Sequence, residues 1–188
     1  MSSCPRLSAS LLAADFAHLG AEVQAITAAG ADMIHLDVMD GVFVPNLTFG
    51  AGVIAALRPL TPLPFDAHLM VAHPDRLFPD FVKAGCQAIT FHPEAVRDPA
   101  ATLRQIRELG ARAGLALNPD VPIETISPYL NDMDIVLIMT VQAGAGGQTF
   151  RPLYDKISAA RDLIRKSGHA IDLSVDGGLG PQNAENVI

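Results

Sequence analysis

The sequence predicts an α/β fold in which parallel strands and covering helices close towards a (β/α)8 TIM barrel. Three observations carry this expectation. Short, nearly all-apolar runs alternate with longer amphipathic stretches, the pattern of β/α units on a parallel sheet. Helix, glycine and strand recur in that order at Gly30, Gly85, Gly110 and Gly168, as in an approximate repeat of one unit with left-handed helix ends. Residues with chemistry fall at the C-terminal ends of several strands, which favours a barrel over an open doubly wound sheet with one switch point.

The units follow in chain order. A strand over Leu7–Leu11 leads to a helix over Ala14–Ala29, with Asp15 able to cap its start. Met33–Met39 is the second strand and Ala51–Leu57 its helix; Phe65–Val71 and Pro74–Ala84 form the third unit. Ala88–His92 is followed by a helix over Pro99–Leu109, where Asp98 caps and Pro99 suits the first turn. Ala113–Asn118 and Ile123–Leu130 come next. Ile135–Val141 contains the clearest buried strand, Ile135-Val136-Leu137-Ile138-Met139, and precedes a helix over Pro152–Lys166 that Pro152 would open. The seventh strand, Ile171–Val175, leads into what reads as a crossover helix reaching Asn186-Val187-Ile188. A barrel needs eight units and usually ~250 residues. We therefore expect a single barrel domain over residues 1–188, C-terminally truncated and lacking its eighth β/α unit.

Composition narrows the function classes. In 188 residues, 49% hydrophobic and 18% charged side chains exclude a disordered chain. Thirteen Lys and Arg against 20 Asp and Glu give a net charge of −7, which argues against nucleic acid or an anionic membrane as partner. No apolar run approaches the roughly 18 residues of a membrane span, and Met1-Ser2-Ser3-Cys4-Pro5-Arg6 shows no secretory signal. Cys4 and Cys86 cannot build a disulfide framework. We expect a soluble cytoplasmic protein acting on something small, as a homo-oligomer.

Four constellations carry the chemistry. In His35-Leu36-Asp37-Val38-Met39, residues two apart share a strand face, so His35, Asp37 and Met39 point together. Asp66-Ala67-His68-Leu69-Met70 repeats the alternation, and Ser174-Val175-Asp176-Gly177-Gly178 ends the seventh strand. Three strands thus bring His35, Asp37, His68 and Asp176 to one mouth. Two imidazoles and two carboxylates suit a divalent ion such as Zn²⁺, Mn²⁺, Fe²⁺ or Co²⁺; the alternative is four buried polar residues satisfied by hydrogen bonds. The fourth, Gly144-Ala145-Gly146-Gly147-Gln148, offers free N–H groups opening into a helix. Its spacing matches no nucleotide-binding loop, so it reads as a cradle for one phosphate, or as a tight turn. Gly177 and Gly178 would add N–H groups. Met39, Met70 and Met139, all at strand ends, would form an adaptable wall over a substrate. His92, before Pro93 and Glu94, would line the mouth; His18, His73 and His169 read as surface residues.

Together these residues resemble one family, ribulose-phosphate 3-epimerase. The resemblance begins at Ser8-Ala9-Ser10-Leu11-Leu12-Ala13-Ala14-Asp15-Phe16 and covers essentially the whole chain. Its most specific piece is His35-Leu36-Asp37-Val38-Met39-Asp40-Gly41-Val42-Phe43-Val44-Pro45-Asn46, supported in order by Asp66-Ala67-His68-Leu69-Met70-Val71, Ala116-Leu117-Asn118-Pro119 and Val175-Asp176-Gly177-Gly178. It implies a barrel of the ribulose-phosphate-binding type and interconversion of D-ribulose 5-phosphate and D-xylulose 5-phosphate in the pentose phosphate pathway. It also implies a divalent metal on His35, Asp37, His68 and Asp176, with Asp37 and Asp176 as the acid/base pair. Ser8 and His68 would contact substrate; Gly144, Ala145, Gly146 and Gly147, with Asp176, Gly177 and Gly178, would hold the phosphate end. Two features depart from the family. Ala143 and Ala145 stand where Pro and Phe are usual, and no eighth strand with its small-residue phosphate loop occurs before Ile188.

Epimerisation at C3 removes a proton α to the C2 ketone and returns one to the opposite face, so two carboxylates are the minimal apparatus. Asp37 is assigned as base and Asp176 as acid for ribulose 5-phosphate, with the roles exchanged in reverse. Three rivals share these residues in part. A 3-epimerase of a six-carbon ketose phosphate such as allulose 6-phosphate would differ in pocket size. A barrel performing aldol or decarboxylation chemistry fits the two histidines poorly. A non-catalytic truncated sugar-phosphate-binding barrel is opposed by the intact quartet.

Overall fold

Among residues 4–188, which the computed structural model describes, seven parallel strands hydrogen-bond strictly in chain order as one curled sheet. They are β1 (Ser8–Ser10), β2 (Met33–Met39), β3 (Phe65–Met70), β4 (Cys86–Phe91), β5 (Arg112–Leu117), β6 (Ile135–Met139) and β7 (Asp172–Asp176). Five α-helices cover its outside: α1 (Leu19–Ala28), α2 (Ala51–Leu57), α3 (Phe78–Lys83), α4 (Pro99–Glu108) and α5 (Tyr154–Ser167). This is the predicted barrel lacking an eighth unit.

Alternation along each strand separates two layers. Outward residues such as Ile34, Leu36, Phe65, Leu69, Ile89, Phe91, Leu115 and Ile138 join Leu103, Ile106, Ile157 and Ala160 from the helices in one continuous core. Inward residues are a mixture. Ala116, Leu137, Met139 and Val141 form one apolar patch, and Met39, Val44 and Met70 another. Between them lie the polar side chains of β2, β3 and β4.

Several helices differ from their sequence-based extents for local reasons. Asp15 accepts from Ala17 N–H and caps a 3₁₀ turn, Phe16–His18. His18, at φ −132° and ψ 28°, then breaks the backbone, and α1 starts afresh at Leu19. Pro79 is tolerated only in a first turn, so the third helical stretch divides into a 3₁₀ turn over Pro74–Arg76 and α3. Pro128 removes an N–H, and Ile123–Tyr129 is 3₁₀ rather than α. Pro152 lies outside α5, whose N-cap is Leu153. The expected caps hold at Asp98, which accepts from Ala101 N–H, and at Gly30, Gly85, Gly110 and Gly168, all with positive φ.

Among the described residues, the sheet has two free edges. β1 pairs with β2 alone and β7 with β6 alone. Curling brings these edges within reach of one side chain at the N-terminal face: Arg6, just before β1, binds Asp172 at the start of β7. Arg112 holds the same carboxylate at 2.8 Å. The opposite face, at the strands' C-terminal ends, carries the polar cluster.

Candidate active site

Register places the cluster. His35 pairs with Asp66, Asp37 with His68 and Met39 with Met70, so β2 and β3 raise matched inward residues in three steps. β7 adds Asp176, opposite Met139 of β6. One ligand atom from each of His35, Asp37, His68 and Asp176 lies within 4.8 Å of every other. The first three are buried, whereas the Asp176 side chain is 30% exposed and faces the mouth. The sequence-based quartet is therefore assembled.

The atoms are arranged as in a cation site. His35 Nδ1 lies 3.0 Å from Asp66 Oδ2, which suits a donated N–H and leaves a lone pair on Nε2. That Nε2 is buried and has no hydrogen-bond partner, yet stands 3.3 Å from Asp37 Oδ1 and 4.0 Å from Asp176 Oδ2. His68 turns Nδ1 to the same Asp37 oxygen at 3.1 Å. Two imidazoles and two carboxylates converging on one point fit a divalent ion, and an unsatisfied buried acceptor is what such an ion would occupy.

Without a cation, charge is balanced by a proton. Burial opposes ionisation of His35, but the carboxylates of Asp37 and Asp66 outweigh it and hold its pKa well above the ordinary range. Burial likewise acts to raise Asp37, and the His35 and His68 rings beside it hold it well below the usual carboxylate range. Ser10 donates to Asp37 Oδ2 at 2.7 Å. Asp37 is thus kept ionised in a nearly dry interior.

Other predicted residues distribute unevenly. Ser8, expected to contact substrate, pairs with Met33 at the far end of β2, and its buried hydroxyl touches no partner; Ser10, paired with His35, is the β1 serine whose hydroxyl reaches the cluster. Met39 and Met70 share a patch with Val44, while Met139 sits in the other patch, so the methionine wall has two parts. The Gly144–Gly147 segment does not open into a helix, because six residues separate it from Tyr154. Gln148 closes the loop instead, donating to the carbonyls of Gln142 (2.7 Å) and Ala145 (2.8 Å). Among the described residues, the N–H groups of Gly144, Ala145, Gly146 and Gly147 meet no acceptor. Gly178 lies against this loop: a Cβ there would meet Phe150 N at 2.5 Å and Gln148 O at 2.7 Å. An open hollow of about 480 Å³ lies between Pro45 and Asn46 on one side and Gln142–Ala145 and Gln148 on the other.

Three further contributors escaped the sequence reading as site residues. Asp66 and Ser10 were visible as inward positions by alternation, but only register shows which residue each meets. Thr140 fixes the end of β7, its hydroxyl donating towards the carbonyls of Asp176 (2.9 Å) and Gly177 (2.6 Å). His92, which the sequence placed at the lining of the mouth, is fully buried, 2.9 Å from His68 Nε2.

The family model described as "Ribulose-phosphate 3 epimerase family" matches residues 6–188. The chain is 48% identical to "Ribulose-phosphate 3-epimerase 1" of Cupriavidus necator over 183 residues, 95% of this chain and 76% of that protein. It is 43% identical to the "Ribulose-phosphate 3-epimerase" of Bacillus subtilis, covering 97% of this chain and 85% of the relative. Its Escherichia coli K12 counterpart is 45% identical, covering 94% and 80%. In fold, the chain is similar to a mutant tryptophan synthase α-subunit from Pyrococcus furiosus, with TM-score 0.68, 15% identity and coverage of 97% and 81%. KGPDC from Streptococcus mutans gives 0.67, 16% identity, and 97% and 82%. No helix of the described residues is long and apolar enough to cross a membrane.

Proposed function

Because this chain belongs to the ribulose-phosphate 3-epimerase family, we propose that it interconverts D-ribulose 5-phosphate and D-xylulose 5-phosphate through the His35, Asp37, His68 and Asp176 cluster. It acts as an isomerase of the pentose phosphate pathway in the cytoplasm. The observation that carries this reading is the buried, unpartnered His35 Nε2 at the centre of two imidazoles and two carboxylates.

The two carboxylates have separable parts. Asp37, kept ionised by its buried neighbours and oriented by Ser10, takes the proton from C3. Asp176, on β7 and closer to solvent, returns a proton to the opposite face; in the reverse direction they exchange roles. His35, Asp37, His68 and Asp176 would hold a divalent cation, which as a Lewis acid stabilises negative charge developing on the substrate oxygens. The free N–H groups of Gly144–Gly147 receive the phosphate, with Gly177 and Gly178 in the neighbouring turn, packed on Val141 and on Gln148 and Phe150. Met39 and Met70 exclude water beside the reacting carbons.

Replacing either carboxylate tests the assignment. Asp37→Asn and Asp176→Asn should each lower kcat by about 10²- to 10⁴-fold in an epimerase assay with added metal. Unaltered turnover by either variant would end the two-carboxylate reading.

A further inference from the structure

Polar order in the interior extends one shell beyond the quartet. His68 Nε2 lies 2.9 Å from His92 Nε2, with ring centroids 5.1 Å apart, and both side chains are fully buried. A contact that short between two ring nitrogens needs one proton shared between one donor and one acceptor. On its other edge His92 Nδ1 faces both Glu94 Oε1, at 3.5 Å, and the Asn118 amide nitrogen, at 3.4 Å; of the two only the carboxylate can accept a proton from it. The Asn118 amide donates to that same carboxylate at 3.0 Å and accepts from Ala143 N–H at 3.1 Å. Phe43 packs on the His92 ring, with centroids 5.2 Å apart.

His68 can offer Nδ1 to a cation beside Asp37 only if its proton sits on Nε2. In a dry interior that N–H needs an acceptor. His92 Nε2 is the group in position to accept it, provided the His92 proton is on Nδ1, the edge that Glu94 faces. We propose that His92, backed by Glu94, is a positioning residue that fixes the tautomer and ring orientation of His68 for cation binding. This rests on reading the quartet as a cation site. The Asn118 link extends the same chain to the loop after β6, so ring and loop are held by one network.

Two measurements test it. In zinc-loaded, ¹⁵N-labelled protein, long-range ¹H–¹⁵N spectra should show His68 protonated at Nε2 and His92 at Nδ1. In parallel, His92→Phe keeps a ring between Phe43 and His68 but removes the acceptor. Its Co²⁺ affinity, read by titration, should fall about 10- to 100-fold, with a change in the cobalt visible spectrum. His92→Gln, whose amide oxygen still accepts, should regain most of that affinity. His68 protonated at Nδ1 in the zinc form, or cobalt binding of native strength by His92→Phe, overturns the proposal; should His92→Phe not fold, the spectra of the native protein decide. If the native protein binds Co²⁺ and epimerises but His68 carries Nδ1–H, this proposal alone fails. If it does neither, the cation-site reading fails with it.

Discussion

His35 shows how one side chain joins stability to chemistry. Burial alone would keep its ring neutral, yet Asp37 and Asp66 pull its pKa well above the ordinary value, while Asp37 is held well below its own. In the metal-free protein the folded state therefore binds more protons at His35 than the unfolded chain does once pH exceeds about 6.5. That contribution is fully present below this value and is lost as pH rises through the folded pKa. The Asp37 contribution has the opposite sign: present above about pH 4, and lost as pH falls through its lowered value. The melting temperature of chelator-treated protein should thus fall from pH 6.5 upwards, and a His35→Gln variant should lack that slope. Parallel profiles for the two proteins would show that the ring is not charged when the site holds no cation. Bound metal takes the place of the proton, so cation affinity rises over the same interval.

At the scale of elements, β2, β3 and β7 supply the cluster, and two glycine turns are proposed as the phosphate cradle. The alternation in His35-Leu36-Asp37 and Asp66-Ala67-His68 made the inward faces legible, because a strand has one periodicity and few ways to violate it. The pairing of His35 with Asp66 was not legible, since register depends on where neighbouring strands begin. Helices were less legible than strands. Prolines at 79 and 128 redirect backbone hydrogen bonding in ways that apolar periodicity alone does not reveal. The loop after β6 was expected to open into a helix, but a six-residue connection with no regular structure separates Gly147 from α5. One glycine of this loop and one of the turn after β7 predict different outcomes. Gly147, at φ 70°, has nothing within 4 Å of an added Cβ, so Gly147→Ala costs about 1–2 kcal/mol of backbone strain. Gly178, at φ 65°, would drive a Cβ into Phe150 N and Gln148 O, so Gly178→Ala must displace the loop itself. Its KM for sugar phosphate should rise well above that of Gly147→Ala; equal KM values would separate this turn from the phosphate cradle.

On the scale of the whole molecule, the seven-stranded sheet curls far enough for Arg6 to reach Asp172, and the polar cluster forms entirely from strands that are present. The chain spans 76% to 85% of the length of the relatives described above, and its family motifs fall within that span. Fold and quartet were legible together because a parallel barrel delivers every strand's C-terminal end to one face. The His68–His92 contact was not, since it depends on how β3 and β4 seat two rings across the interior. In the proposed mechanism Asp37 and Asp176 move separate protons at C3. Giving zinc-loaded protein D-ribulose 5-phosphate in D₂O and following C3 by NMR tests this. D-xylulose 5-phosphate carrying deuterium at C3 is expected, because the returning proton comes from a second, solvent-equilibrated acid. Product that keeps the substrate's own C3 proton, or no product at all, would contradict it.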